Sequence, residues 1–239
     1  MRKANAPGNP NRLLYWLGGL LALLVAGVAV LIVLTLEPRD SDRTPIAGPE
    51  RTLLWIYDAQ RPDAGAVAAV VEESRDLGAL RVVAFPVPPD LVQVHTGAGA
   101  RQAWQELERS LGRRVHHAVF LPAGVIARLT DAVGGIALEN QSRTGAEAVA
   151  YLLEGEDQPR RAVAVLLALA EAATARGVSL GFRDAMALAG QVETDLDLLS
   201  LPAILTRWSG YPAPQVETLA TGDLAAVRDR LRPDTEGRE

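Results

Sequence analysis

The feature that most constrains this chain is Leu13–Leu36, 24 consecutive residues without a charge, in which Thr35 is the most polar group. As a helix it is about 36 Å long, enough to cross a hydrocarbon layer of about 30 Å with some tilt. Lipid offers the backbone no hydrogen-bond partner, so a helix is the form such a run takes in a bilayer. Tyr15 and Trp16 stand where an interfacial aromatic pair belongs. Arg2, Lys3 and Arg12 precede the run with no acid, whereas Glu37, Arg39, Asp40, Asp42 and Arg43 follow it. The positive-inside rule then leaves residues 1–12 as a cytoplasmic tail and places the rest outside. A cleaved signal peptide has a shorter apolar core and a small-x-small site. Thr35-Leu36-Glu37-Pro38 supplies no such site, so 13–36 is expected to remain as a single-pass anchor.

The absence of cysteine among 239 residues excludes disulfides, Cys-ligated zinc, iron–sulfur clusters and a thiol nucleophile. Three histidines give little material for a His-rich metal site. Only three of the 24 basic residues and none of the 29 acidic ones precede the span, leaving a formal charge of −8 beyond it. Such a chain is not expected to bind nucleic acid, and charge will not hold it on an anionic membrane surface. A single lysine among the basic residues indicates composition bias, so each Arg and Ala is less informative than usual.

Residues 37–50 are polar with three prolines and read as an extended linker. From 51 to 220 strand and helix patterns alternate, which predicts one α/β layered domain with a central sheet flanked by helices. Thr52–Tyr57, Leu80–Phe85, His117–Leu121 and Ile136–Glu139 read as strands, with Leu91–Val94 as a short extra one. Helices are expected at Ala64–Arg75, Ala98–Leu111, Pro122–Val133, Thr144–Leu153, Arg160–Arg176, Gly181–Gln191 and Leu196–Trp208. Thr144-Gly-Ala-Glu147 is a capping box. The tail 221–239 is charged and predicts a short helix, Asp223–Leu231, with Asp223 as its cap.

Three blocks in order resemble the LytR-CpsA-Psr family. They are Val115-His-His117-Ala-Val-Phe-Leu121 with Leu129-Thr-Asp131-Ala-Val-Gly134-Gly135-Ile136, then Thr144-Gly-Ala-Glu147-Ala148-Val-Ala-Tyr151, then Val192-Glu-Thr194-Asp195-Leu196. The layout of short tail, single anchor and outer α/β domain is similar too, and the match spans roughly 51–210. The resemblance implies a cell-envelope role, with a polyprenyl-pyrophosphate-linked glycopolymer bound and transferred to peptidoglycan. It also implies Mg²⁺ and a set of arginines and aspartates around the pyrophosphate. Forked guanidinium donors and hard carboxylate ligands suit that chemistry, and phosphoryl transfer is mostly positioning and charge stabilisation.

The departures fall on that machinery. The family's proline-arginine-aspartate is met here by Pro86-Val87-Pro88-Pro89-Asp90, and its arginine-(x)-arginine after the tyrosine by Leu153 and Gly155. Asp157 and Arg160 keep an aspartate-(x)-(x)-arginine, but the arginine-glutamine that follows is replaced by Val163-Ala164. Asp58 and Arg61 match the first-strand aspartate and arginine, while the next aspartate falls in Ala64-Gly65-Ala66. Each lost arginine removes a charge-assisted contact of about 1.5–3 kcal/mol. The expectation is a relative that keeps the fold, binds a polyprenyl-linked ligand or another envelope protein, and has lost the reaction. An active phosphotransferase with rearranged arginines and a membrane-tethered structural or interaction module are the alternatives.

The ligand-binding candidates are therefore Asp58, Arg61, Asp157 and Arg160, with Asp58 also the candidate for Mg²⁺ if transfer survives. Each has a simpler reading. Asp58 and Arg61 are also turn residues after a strand, and Asp157 and Arg160 also a helix start with a local ion pair. His117 is expected to pack within its strand, His116 to face solvent, and His95 has no evident partner. Asp131 is expected to close its helix beside Gly134, and Asp195 or Thr194 to cap the helix at Leu196. Arg61, Arg81, Arg143, Arg160 and Arg161 are expected not to form the dense cluster an active transferase needs.

Overall fold

The computed structural model describes residues 49–61, 65–155, 157–176, 184, 187–188, 190–196, 211–212 and 214–233. The anchor at 13–36 lies outside these residues, as do nearly all of the linker and most of the helices expected at 181–191 and 196–208. No helix among the described residues is long and apolar enough to cross a membrane.

Six strands form the central sheet in the order β7-β4-β1-β2-β3-β8. β1 (Glu50–Tyr57) pairs antiparallel with β2 (Ala66–Ser74) and parallel with β4 (His117–Pro122). β2 runs antiparallel to β3 (Ala79–Pro86), which pairs in parallel with β8 (Gln215–Thr218). β7 (Glu193–Thr194) closes the other edge by two antiparallel pairs, Val119↔Thr194 and Phe120↔Glu193.

The alternation of side chains along β1 divides the core. Leu53 and Trp55 face α1 (Pro89–Ala98), α2 (Ala100–Leu111) and α6 (Leu224–Arg230), joining Leu91, Leu107, Leu111 and Val227 in one apolar cluster. Ile56, with Leu54 packed beside it, faces α3 (Ala123–Ala132), α4 (Gly145–Leu153) and α5 (Gln158–Arg176). A two-stranded hairpin, β5 (Ile136–Leu138) and β6 (Gln141–Arg143), sits among these last helices. Each fully buried Leu contributes about 1.5–3 kcal/mol, so the amphipathic stripe of α2 fixes that helix on the sheet.

Several expectations are corrected. Ala64–Arg75 is not a helix: Ala66–Ser74 is β2, hydrogen-bonded on both edges and buried over nearly its whole length. A strand covered on both faces shows no alternation, and its run of alanines and valines matches helical spacing by default. Leu91–Val94 is not a strand but the middle of α1, which starts at Pro89 in the first turn, where a missing N–H costs nothing. Ala98–Leu111 is broken at Gly99, whose φ of +90° separates α1 from α2. β6 is reached by a turn at Glu139 and Asn140, both with positive φ, the geometry of a type I′ hairpin. The folded unit does not end at 220: Val227 and Leu231 are core residues, and the charge of the segment hides them. The capping box is present as read, with Thr144 accepting from Glu147 N–H and Glu147 accepting from Thr144 N–H. Asp223 caps α6 by accepting from Ala225 N–H.

Candidate functional site

Two regions of the sheet carry the chemistry. The first is the carboxyl end of β1. Asp58 follows Tyr57 there, and the register Tyr57↔Ala66 brings Gly65 to the same end. A Cβ at Gly65 would lie 3.9 Å from Gln158 Oε1, so the start of α5 stands beside this loop. The fold thus gathers the candidate residues at one end, but each pair closes on itself. Asp58 Oδ1 accepts from Gln60 N–H at 2.9 Å, and Arg61 Nε donates to Asp58 Oδ2 at 3.0 Å. Burial works to raise the Asp58 carboxyl, but these donors outweigh it and hold it below the ordinary carboxylate range. Arg160 lies 3.6 Å from Asp157 in an exposed i,i+3 pair.

The remaining arginines divide as well. Arg81 bonds Glu217 and the carbonyl of Arg230 at the far edge of the sheet. Arg143 and Arg161 meet on one ring, with their guanidinium carbons 4.7 and 5.0 Å from the Tyr151 centroid. Tyr151 OH donates to Glu139 at 2.8 Å. Among the described residues no three His, Asp or Glu side chains are grouped so as to hold a metal ion. Asp58, the Mg²⁺ candidate, accepts from Gln60 N–H and from Arg61, and no carboxylate among the described residues acts on it. Among the described residues a single carboxylate already paired with a guanidinium does not fit a hard divalent ion, which gathers several oxygen ligands.

The second region is a cleft of about 420 Å³ at the β4–β7 edge. Ala100, Arg101 and Trp104 of α2 form one wall, Ala118 and Phe120 of β4 the floor, and Glu193, Thr194 and Asp195 the other wall. Trp104 carries an indole Nε1 that is buried without a hydrogen-bond partner. Behind Phe120, His95 stacks on its ring at 5.3 Å and meets Tyr57 edge-on at 4.5 Å. His95 therefore has aromatic partners that the sequence did not reveal; burial pushes its pKa down. Burial, with Glu193 nearby, pushes Tyr57 up.

Of four polar residues read from the sequence, Thr194 and Asp131 keep their expected local roles, Asp131 by accepting from Gly134 N–H through its carbonyl. Asp195 reaches back to β4. Its Oδ1 accepts from Ala118 N–H at 2.6 Å and its Oδ2 lies 3.2 Å from His117 Nδ1. Thr194 instead accepts from Leu196 N–H and donates to Ala118 O. Asp131 accepts from Gly145 N–H at 2.7 Å, joining α3 to α4. His116 is not solvent-facing: its Nδ1 accepts from Arg51 N–H at 3.0 Å, and burial lowers its pKa. The cleft residues escaped sequence reasoning because its two walls lie about 90 residues apart in sequence. The faint signal was Val192-Glu-Thr194-Asp195, a polar block among apolar ones.

No family model and no curated protein matches the sequence. Solved structures do match the fold. TagT bound to LI-WTA superposes with a TM-score of 0.58 over 80% of this chain and 92% of that one, at 15% identity. TagV of Bacillus subtilis gives 0.52 over 72% and 85%, at 12% identity. A transcriptional regulator from Enterococcus faecalis gives 0.53 over 72% and 76%, at 18% identity. TagT and TagV are LytR-CpsA-Psr enzymes, and the sheet with helices on both faces is the LytR-CpsA-Psr-like fold that the sequence blocks implied.

Proposed function

We propose that this chain is a single-pass, membrane-anchored LytR-CpsA-Psr-like protein of the cell envelope. Its outer domain binds a polyprenyl-linked glycopolymer and no longer transfers it. The observation that carries the reading is the pairing of arginines with carboxylates of the chain itself. Asp58 is neutralised by Arg61, Asp157 by Arg160, and Arg81 by Glu217. A pyrophosphate in transfer needs several guanidinium groups and a metal preorganised on one spot. Binding is supported by the cleft, whose floor of Ala118 and Phe120 suits an aliphatic chain and whose Trp104 holds an unused donor. The uncharged run at 13–36 would keep the domain at the membrane surface, where such a lipid resides.

One observation favours an active transferase instead: Arg143 and Arg161 converge on Tyr151, near the end of α4. Binding of undecaprenyl phosphate to the full chain in non-ionic detergent, with and without Mg²⁺, separates the readings. Saturable, metal-independent binding is expected, with no glycan moved to peptidoglycan when a polyprenyl-pyrophosphate-linked glycan is supplied as the donor in a parallel assay. Metal-dependent binding accompanied by transfer refutes loss of the reaction, and no binding refutes the lipid reading.

A further inference from the structure

We infer that His117 is the positioning residue of the cleft: its ring grips Asp195 through Nδ1 and Glu50 through Nε2, and so fixes the β7 wall against β4. The two distances are 3.2 and 3.4 Å, and the imidazole side chain is 15% exposed. A neutral imidazole has a single N–H, so facing a carboxylate with each nitrogen requires the doubly protonated ring. Burial works against that charge, but the hydrogen bonds and charges of Asp195 and Glu50 outweigh it and push the pKa up to about 9.

The wall depends on this grip because, among the described residues, few other bonds tie it to the sheet. β7 has two residues and two pairs to β4. Asp195 adds the bond from Ala118 N–H, and Thr194 the bond to Ala118 O. Releasing the Asp195 carboxylate frees the lip of the cleft from the strand that forms its floor.

The groups facing His117 come from three elements. Glu50 of β1 is shared with Arg75, which follows β2. Asp195 follows β7. His116, just before β4, is disfavoured as a cation first by burial and then by the nearby Arg114 and Arg51. His117 is thus the cation of the pair of histidines, and His116 the neutral acceptor.

The sign follows from linkage. A histidine whose folded pKa is raised stabilises the closed wall fully below about 6.5, and that stabilisation is lost as pH rises through about 9. Opening that frees the ring should increase by up to about tenfold per pH unit between pH 7 and that pKa.

The test uses the full chain in non-ionic detergent and follows amide hydrogen exchange at 193–196, corrected for intrinsic rate, from pH 6.5 to 10. Protection there should fall as pH rises while that of β1–β2 stays level, and His117→Gln should show the unprotected wall already at pH 7. Proton NMR of the His117 ring, which needs no variant, should give a midpoint near 9. Flat protection to pH 10, a midpoint below 7, or a His117→Gln wall as protected as the wild type overturns the inference. Farnesyl phosphate serves as a second probe, with weaker binding to His117→Gln than to wild type expected at pH 7. Only that readout rests on the cleft being the lipid site. If wild type fails to bind the probe, the binding proposal fails and exchange still decides the role of His117.

Discussion

Substituting Arg51 by Met tests whether the start of β1 is held by a buried ion pair. Arg51 and Glu72 are both fully buried, with Arg51 Nε 3.2 Å from Glu72 Oε2. The same guanidinium donates to the carbonyls of Arg114 and Arg232, and Arg232 N–H donates to Glu72 Oε2 at 3.0 Å. Arg51→Met leaves Glu72 as a buried carboxylate whose remaining ion-pair partner among the described residues is the half-exposed Arg232, at 3.6 Å, and strips donors from two carbonyls. Breaking a buried pair from one side costs about 3–5 kcal/mol. For a domain of this size that lowers the melting temperature by roughly 6–20 °C. Arg51→Met with Glu72→Leu removes both charges and should cost less than either single change, because desolvation is relieved together with attraction. Thermal unfolding of the full chain in detergent, followed by near-ultraviolet circular dichroism, measures all three variants. Additive losses in the double variant would refute the reasoning, since two independent sites add and a coupled pair does not.

Gly145→Ala should destabilise by about 3 kcal/mol or more, because its Cβ would fall 2.1 Å from the Ala127 carbonyl oxygen between α3 and α4; the same melts check it. Thr144→Ala removes the capping box and should cost about 1 kcal/mol in a urea titration, with the fold retained. Leu107→Ala, at a fully buried position of α2, should cost about 2–5 kcal/mol by the same titration. Arg160→Ala should change stability by less than about 1 kcal/mol, since its partner Asp157 is also exposed, and leave undecaprenyl phosphate binding unaltered. A clear loss of binding there would assign Arg160 to the ligand.

Where a signal was local, the residues carried it. The capping box of α4, the Asp223 cap, the glycine stop after α3 and the Asp58–Arg61 turn each involve groups within a few positions of one another. The Asp157–Arg160 pair was legible in the same way, since its members stand three positions apart. Arg143 and Arg161 were not predicted to share Tyr151, because the three groups come from three elements, β6, α4 and α5, whose packing brings them together.

The sequence by itself determined that 13–36 is apolar over a bilayer's thickness, that strands and helices alternate, and where the helix caps stand, since each follows from neighbours along the chain. Tertiary structure alone decided that the Ala-Val run after Gly65 is a strand, because β1 and β3 supply its hydrogen bonds. It alone turned Arg51 and Glu72 into a buried pair and set His117 between Glu50 and Asp195. A charge buried in a protein takes its meaning from the partner that neutralises it. Here those partners come from elsewhere in the chain, 78 positions away for His117 and Asp195, so no local pattern announces them.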